Sequence, residues 1–556
     1  MILIIVLLYI IYKIASFIRF YIIGRRTGFP LILTPIFSQG ILWMVLGPTL
    51  QPVFQKYLPE WIYRRLDIVT NGWDFRRKNQ MHLQLGKAFV VVSPDECSLW
   101  VGDPALAAVV LARRKDFVQP AIVAQFLDFF GTNILTSNGE DWQRQRRIIA
   151  PNLNESVMEV VWQESCQQAR SMLGYQIQHG ETNKTLDGLR SVAINVLGQA
   201  GYGQNQAWSP DFSKSIASEA SPASGSEAPS ARMAYFRTIS MVTEHFAEAA
   251  LIPAWIKTLP FMPAQLRLLG RQMQRVPEYI QAILEGETGS DENKDQMKRH
   301  NFLDVLVEFA DNKNTSDSNK KSLFLSKEEI SGNLWIFTGA GFDTTANTMG
   351  YAVLLLAVYP QWQAWIQEEL DDLVMDTSDW EYTTIFQHCP RLLAVMFETL
   401  RLYTPVAHVS RGVKSPQQLA AEKGTHLLLP PMNVYIVSQS LHMDASIWGP
   451  DVSEFNPARW IDQTTGQPVT PERGAFLPWS GGPRVCPGMK MSQVEFVATL
   501  ATLFHGAKCE PVHTGVTVED ARHRLKKMMD DSAPKLTLQV KDPKMVNLRW
   551  TPRDRR

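Results

Sequence analysis

Residues 479–488 read Trp-Ser-Gly-Gly-Pro-Arg-Val-Cys-Pro-Gly and present one cysteine, Cys486, among glycines and prolines. Only the thiolate binds iron well, and a free thiol is mostly protonated near neutral pH. The loop must therefore stabilise an anion. Apolar positions at helical spacing from Met489 to Ala498 predict a helix directly after the loop. Its free N–H groups and dipole lower the pKa of a thiol placed at its start. Gly482 and Gly488 let the backbone turn tightly around the sulfur, Trp479 can cover the edge of a porphyrin, and Arg484 can reach a propionate. The segment reads as a haem-binding loop with Cys486 as the metal ligand. Thiolate ligation pushes electron density onto iron and favours O–O cleavage.

A second chemical segment, Thr338-Gly339-Ala340-Gly341-Phe342-Asp343-Thr344-Thr345, lies inside the longest helical pattern of the chain. Two interior glycines cost roughly 1 kcal/mol each relative to alanine, and the threonines compete for backbone carbonyls. A helix weakened there is expected to leave a groove for dioxygen. Thr344 can hydrogen-bond the oxygen and Asp343 can relay protons from water, since reductive cleavage of dioxygen takes two electrons and two protons. Gly339-Ala340-Gly341 is not a dinucleotide turn, because Thr344 stands where the third glycine belongs and no strand precedes it. Two further pairs share helix faces: Glu398 with Arg401, and Trp142 with Arg146.

The spacing aromatic-x-x-Gly-x-Arg-x-Cys-x-Gly from Trp479 to Gly488 resembles the ligand loop of the cytochrome P450 superfamily, with Trp479 where phenylalanine is usual. Ala340–Thr345 is similar to the oxygen-activation motif of that family. The resemblance covers about Trp61 to the C-terminus and is nearest to fungal microsomal members. It implies a mainly α fold with a minor β region, a triangular helical prism around haem b. It implies that Trp142, Arg146 and Arg411 bind haem propionates, and that Glu398, Arg401 and Arg459 (in Phe455-Asn456-Pro457-Ala458-Arg459-Trp460) form a buried structural triad. It also implies insertion of one atom of O2 into a hydrophobic small molecule, with electrons from NADPH through a separate flavoprotein reductase, often in the biosynthesis of terpenoids, polyketides or alkaloids. Arg144, Arg147 and Lys490 are candidates to face the electron donor. Phe117–Asn133, Phe337–Ala340 and Thr404–Ser410 resemble substrate-facing stretches, and His408 reads as a pocket-lining or core histidine. Two other readings stay open: a haem-thiolate isomerase or dehydratase working without O2, which the Asp343-Thr344 pair disfavours, and a non-enzymatic haem sensor or electron carrier.

The elements that must position these groups are legible in outline. Ser326 and Glu329 form a capping-box pattern that starts a helix running from Lys327 to about Val358. Helical runs follow from Asp141 to Tyr202, from Pro360 to Met375, and from Pro390 through Arg401. Between Trp61 and Val110, β-rich runs such as Ala88–Val92 alternate with turn signals and predict a small sheet. Lys535–Trp550 alternates like a hairpin turning at Lys541-Asp542-Pro543. Residues 209–230 are Ser/Ala/Pro-rich and read as a flexible insert, and Thr288–His300 and Asp311–Ser322 as solvated loops. The apolar loop Leu251–Met262 either dips into a membrane or packs into the core.

Composition bounds the rest. The 556 residues are 45% hydrophobic, enough for an extensive core, and 55 basic residues balance 55 acidic ones. With no net positive field, nucleic-acid binding is excluded as an expectation. The five cysteines are scattered without a C-x-x-C pair, which suits a reducing compartment and argues against zinc. Residues 1–30 read as a membrane anchor: Ile2–Ile23 is apolar except for Lys13 and Arg19 and is followed by Arg25-Arg26. Lys13 near its centre would cost a few kcal/mol unless it snorkels. Residues 31–60 read as an apolar linker or interfacial segment, leaving one or two membrane-inserted segments open, and residues 61–556 as the haem domain. The expected location is the endoplasmic reticulum membrane with the catalytic domain in the cytosol. The sequons at Asn154, Asn183 and Asn314 are then unmodified.

Overall fold

The computed structural model describes residues 2–211, 231–288, 301–310, 324–373, 380–422, 424–462 and 464–553. Most of the 209–230 insert, nearly all of the two polar stretches, and Met375 lie outside the described residues. Two compact units are present, one made of Met1–Ala121, Arg401–Glu454 and Thr470–Cys486, the other of Ile122–Leu400, Phe455–Val469 and Pro487–Arg556.

The first unit is built on a six-stranded mixed sheet whose strands run, in spatial order, Leu31–Leu33, Ala88–Val92, Cys97–Val101, Asn433–Ile436, Val409–Val413 and Phe117–Val118. Its central strands are valine-, leucine- and isoleucine-rich and buried on both faces, so they show no polar alternation. The expected early sheet is thus real but narrower than the sequence suggests. Residues 60–85 form three short helices, and within Trp61–Val110 strands begin only at Ala88.

The N-terminal helix Ile2–Arg26 belongs to this unit. Phe17, Phe20, Tyr21 and Ile23 pack on the sheet core, whereas Leu3 to Tyr12 are exposed. Leu3–Arg26 is the one helix among the described residues long and apolar enough to cross a membrane. Lys13 forms an ion pair with Asp95, in the turn between Ala88–Val92 and Cys97–Val101. The difficulty of a lysine at mid-helix is resolved by a protein carboxylate. Within residues 31–60, Ile41–Tyr57 forms a separate helix that contains Pro48 and Pro52, with Leu42, Val45, Leu46, Val53 and Tyr57 exposed.

The second unit is helical. Its spine is the expected 32-residue helix Lys327–Val358, roughly 48 Å long at 1.5 Å per residue. The capping box forms as read: Glu329 N–H donates to Ser326 Oγ at 3.2 Å and Ser326 N–H to Glu329 Oε2 at 2.9 Å. Glu329 also receives Arg144 at 2.6 Å and Gln145 at 3.1 Å, which ties Gly139–Ile149 to the start of the spine. Helices Glu155–His179, Thr185–Tyr202 and Met489–Gly506 pack in the same unit.

The predicted C-terminal hairpin is absent. Leu548–Pro552 pairs antiparallel with Ala507–Pro511 and Glu181–Thr182, and Leu538–Gln539 pairs with Ala533–Pro534. Period-two alternation specifies a strand face but not its partner, and here distant strands outcompete the local one.

Candidate functional site

The cysteine loop lies in the first unit. Cys486 N–H donates to Trp479 O at 2.9 Å, closing the turn that carries the thiol, and Trp479 meets the Phe476 ring edge-on at 6.3 Å. Ser480 and Gly482 both adopt positive φ, 62° and 65°. At Gly482 a Cβ would stand 2.4 Å from Leu111 O, so both the backbone angle and the close approach demand glycine. Gly482→Ala is therefore expected to cost at least the roughly 1–3 kcal/mol of a strained backbone position. A thermal melt should show the loss. Helix Met489–Gly506 begins right after Gly488, its N-cap, as the spacing predicted.

Cys486 is exposed, whereas Cys97, Cys166, Cys389 and Cys509 are buried. Burial pushes the Cys97 thiol up to about 12 and the Cys166 thiol up to about 11, which leaves both inert as ligands. Beside the loop, Arg411 sits on strand Val409–Val413, 5% exposed, donating to Gln119 Oε1 at 3.3 Å and Ser410 O at 2.7 Å. Burial lowers Arg411 to about 10. Arg484 is lowered to about 10 by burial and then by the charges of Arg411 and Arg114. Arginines crowded in this way favour a bound anion.

On the second unit, Ala340 is exposed and Thr344 half-buried, one turn apart, on a helix otherwise largely buried. The glycines do not form this opening. A Cβ on Gly339 would meet Trp335 at 3.2 Å and one on Gly341 would meet Leu197 at 3.2 Å, so they serve close packing, and the open positions are Ala340 and Thr344. Thr344 donates its hydroxyl proton to Ala340 O at 2.8 Å. Asp343, 2% exposed, points elsewhere: Arg190 Nη1 donates to its Oδ1 at 3.0 Å and Thr537 Oγ1 to its Oδ2 at 2.6 Å. Arg190, Thr537 and their neighbour Asn347 escape sequence reading, because 153 and 194 residues separate the first two from Asp343. Trp142, 5% exposed, and Arg146 lie one turn apart on helix Gly139–Ile149.

Within the charged trio, Glu398 and Arg459 form an ion pair. Glu398, fully buried, accepts from Arg459 Nε at 3.0 Å, Asn456 N–H at 3.0 Å and Trp460 Nε1 at 2.9 Å. Arg401, one turn later and equally buried, donates to the carbonyls of His442 at 2.9 Å, Val452 at 2.7 Å and Glu454 at 3.1 Å. Trp460 was missed, although it directly follows Arg459. Two electron-donor candidates are otherwise engaged. Arg144 is held by Glu329 and Asp141, and the Lys490 ammonium stands over the Phe386 ring at 4.1 Å. Arg147 is exposed. His408 Nδ1 bonds Asp74 Oδ2 at 2.5 Å and stands edge-on to Trp100 and Tyr435, so it is a hydrogen-bonded structural histidine.

A family model described as cytochrome P450 matches residues 66–530. The chain belongs to the cytochrome P450 family. It is 29% identical to a phomenoic acid biosynthesis cluster cytochrome P450 monooxygenase of Leptosphaeria maculans, over 98% of this chain and 95% of that protein. It is 26% identical to the cytochrome P450 monooxygenase ORF6 of Penicillium roqueforti, with 89% of each covered. The crystal structure of a cytochrome P450, CYP102L1, superposes with a TM-score of 0.64 at 18% identity, over 86% of this chain and 94% of that one, and shows the shared fold. This cytochrome P450 is accordingly a monooxygenase, mainly α with small sheets, and its family binds haem through a thiolate. The residues present fit that group: an exposed cysteine on a glycine-pinned turn, beside buried arginines suited to carboxylates.

Proposed function

We propose that this cytochrome P450 inserts one oxygen atom into a C–H or C=C bond of a hydrophobic fungal secondary metabolite, a terpenoid, polyketide or alkaloid. Electrons would come from NADPH through a separate flavoprotein reductase. The observation that carries the reading is the pairing, on one helix, of an outward-facing Thr344 with a buried, ion-paired Asp343. A rearrangement enzyme has no need of either. The placement of the Leptosphaeria relative in a biosynthesis cluster supports the pathway class.

In this reading Cys486 holds the iron, Arg484, Arg411, Trp142 and Arg146 neutralise the propionates, and Trp479 covers the ring. Bound haem supplies the centre at which O2 is reduced. Because Thr344 spends its proton on Ala340 O, its oxygen faces the open side as an acceptor and can hold a proton donor there. Asp343 carries protons inward. Glu398, Arg401 and Arg459 fix the surrounding core. The exposed Leu3–Tyr12 face and the outward Trp255 and Phe261, 64% and 75% exposed, would anchor the protein on the endoplasmic reticulum with the catalytic body in the cytosol. Loop Leu251–Met262 suits that role because its polarity is inverted. Lys257 is fully buried, donating to Ile252 O at 2.6 Å and Ala249 O at 3.1 Å, while the aromatics point out.

The test is expression with the reductase and candidate pathway intermediates. Thr344→Ala is expected to lower product by roughly the 10²-fold of a lost proton-transfer group, while NADPH consumption continues and peroxide is released. Product formed without reductase, and unchanged in the variant, would establish the isomerase or dehydratase reading instead.

A further inference from the structure

The Asp343 carboxylate is bracketed from two directions, and the second bracket comes from the far end of the chain. Thr537 lies between the short paired strands Ala533–Pro534 and Leu538–Gln539 and is 4% exposed. Its hydroxyl donates to Asp343 Oδ2 at 2.6 Å and accepts from Asn347 Nδ2 at 2.9 Å. Asn347 sits one turn after Asp343 on the same helix, so the amide fills the acceptor side of the hydroxyl and directs its one proton at the carboxylate. Threonines on the helix itself, Thr345 and Thr348, satisfy themselves on carbonyls four residues back. Thr537 instead makes a charge-assisted bond.

This group opens on a cavity of about 390 Å³ lined by Arg190, Asp343, Asn347, Lys535, Asp542 and Lys544 among others. A cavity of that size with charged walls can hold several waters. We infer that Thr537 is a positioning residue for proton delivery: together with Asn347 it keeps the Asp343 carboxylate turned to the cavity, where the acid recharges from water between turnovers. The inference rests on the relay role of Asp343 proposed above.

The test needs no substrate, because dioxygen is the probe. Full-length protein is reconstituted with a fungal NADPH–flavoprotein reductase, and peroxide released per NADPH and the solvent isotope effect on NADPH consumption are measured. Thr537→Val should raise the peroxide yield several-fold and enlarge the isotope effect, with Thr537→Ser restoring both. In an Asp343→Asn background the Thr537→Val change should add nothing. A structure of Thr537→Val, read independently of turnover, should show the carboxylate swung from its present position. Wild-type peroxide yield and isotope effect in Thr537→Val, or an equal effect in the Asp343→Asn background, would overturn the inference. Asp343→Asn behaving as wild type would instead overturn the relay role of Asp343 itself.

Discussion

Cys486→Ala is expected to abolish the red-shifted Soret band of the reduced, carbon monoxide-bound protein and all monooxygenase activity, while the polypeptide stays folded. The effect is local. Cys486 contributes to its turn through the backbone N–H bonded to Trp479 O, which alanine retains, and the exposed side chain fills no core volume. Only the sulfur is lost. None of the other four cysteines can substitute, because each is buried. Difference spectra of membranes carrying wild type, Cys486→Ala and Cys97→Ala check this. Loss of the band in the first variant alone is the expected result, and a band surviving in Cys486→Ala would remove the thiolate assignment.

The second large effect is on stability. Removing one partner from a buried ion pair leaves an uncompensated charge, at roughly 3–5 kcal/mol. Glu398 accepts from Arg459, Asn456 and Trp460 with no exposure. Glu398→Ala therefore strands a guanidinium, an indole N–H and a main-chain N–H together. Against a total stability of roughly 5–15 kcal/mol this should leave little folded protein. Arg459→Met should also be destabilising, because it takes a charged donor from a fully buried carboxylate. Combining Glu398→Leu with Arg459→Met should recover part of the loss, since an apolar pair of similar volume leaves no stranded guanidinium, and only the neutral N–H donors lose their acceptor. Thermal melts and haem content of the purified variants decide. Glu398→Ala melting within a degree or two of wild type would refute a clamp at this carboxylate.

The long helix was legible from Ser326 to Val358 because its signals are local: a capping box, apolar spacing, and Pro360 beyond its end. The cysteine loop was legible for the same reason. Gly482 needs a positive φ and a close approach to Leu111 O, and both demands write glycine into the sequence. The role of Gly339 and Gly341 was misread, because a missing side chain looks the same in sequence whether it leaves a groove or admits Trp335 and Leu197. The C-terminal hairpin failed similarly. Strand residues announce a face, not a partner, and Leu548–Pro552 found Ala507–Pro511.

Electrostatic partnerships were the least legible. Lys13 seemed misplaced in an apolar helix until Asp95 appeared beside it, and Arg144 seemed available to a redox partner until Glu329 took it. The cysteine loop and the helix that carries Asp343 and Thr344 are legible locally, because each is written in residues within a few positions of one another. Where the charges go depends on the fold. Arg190 and Thr537 hold Asp343 from 153 and 194 residues away, and such pairs are selected by desolvation and hydrogen-bond geometry on folding, which leave no periodic mark in the chain.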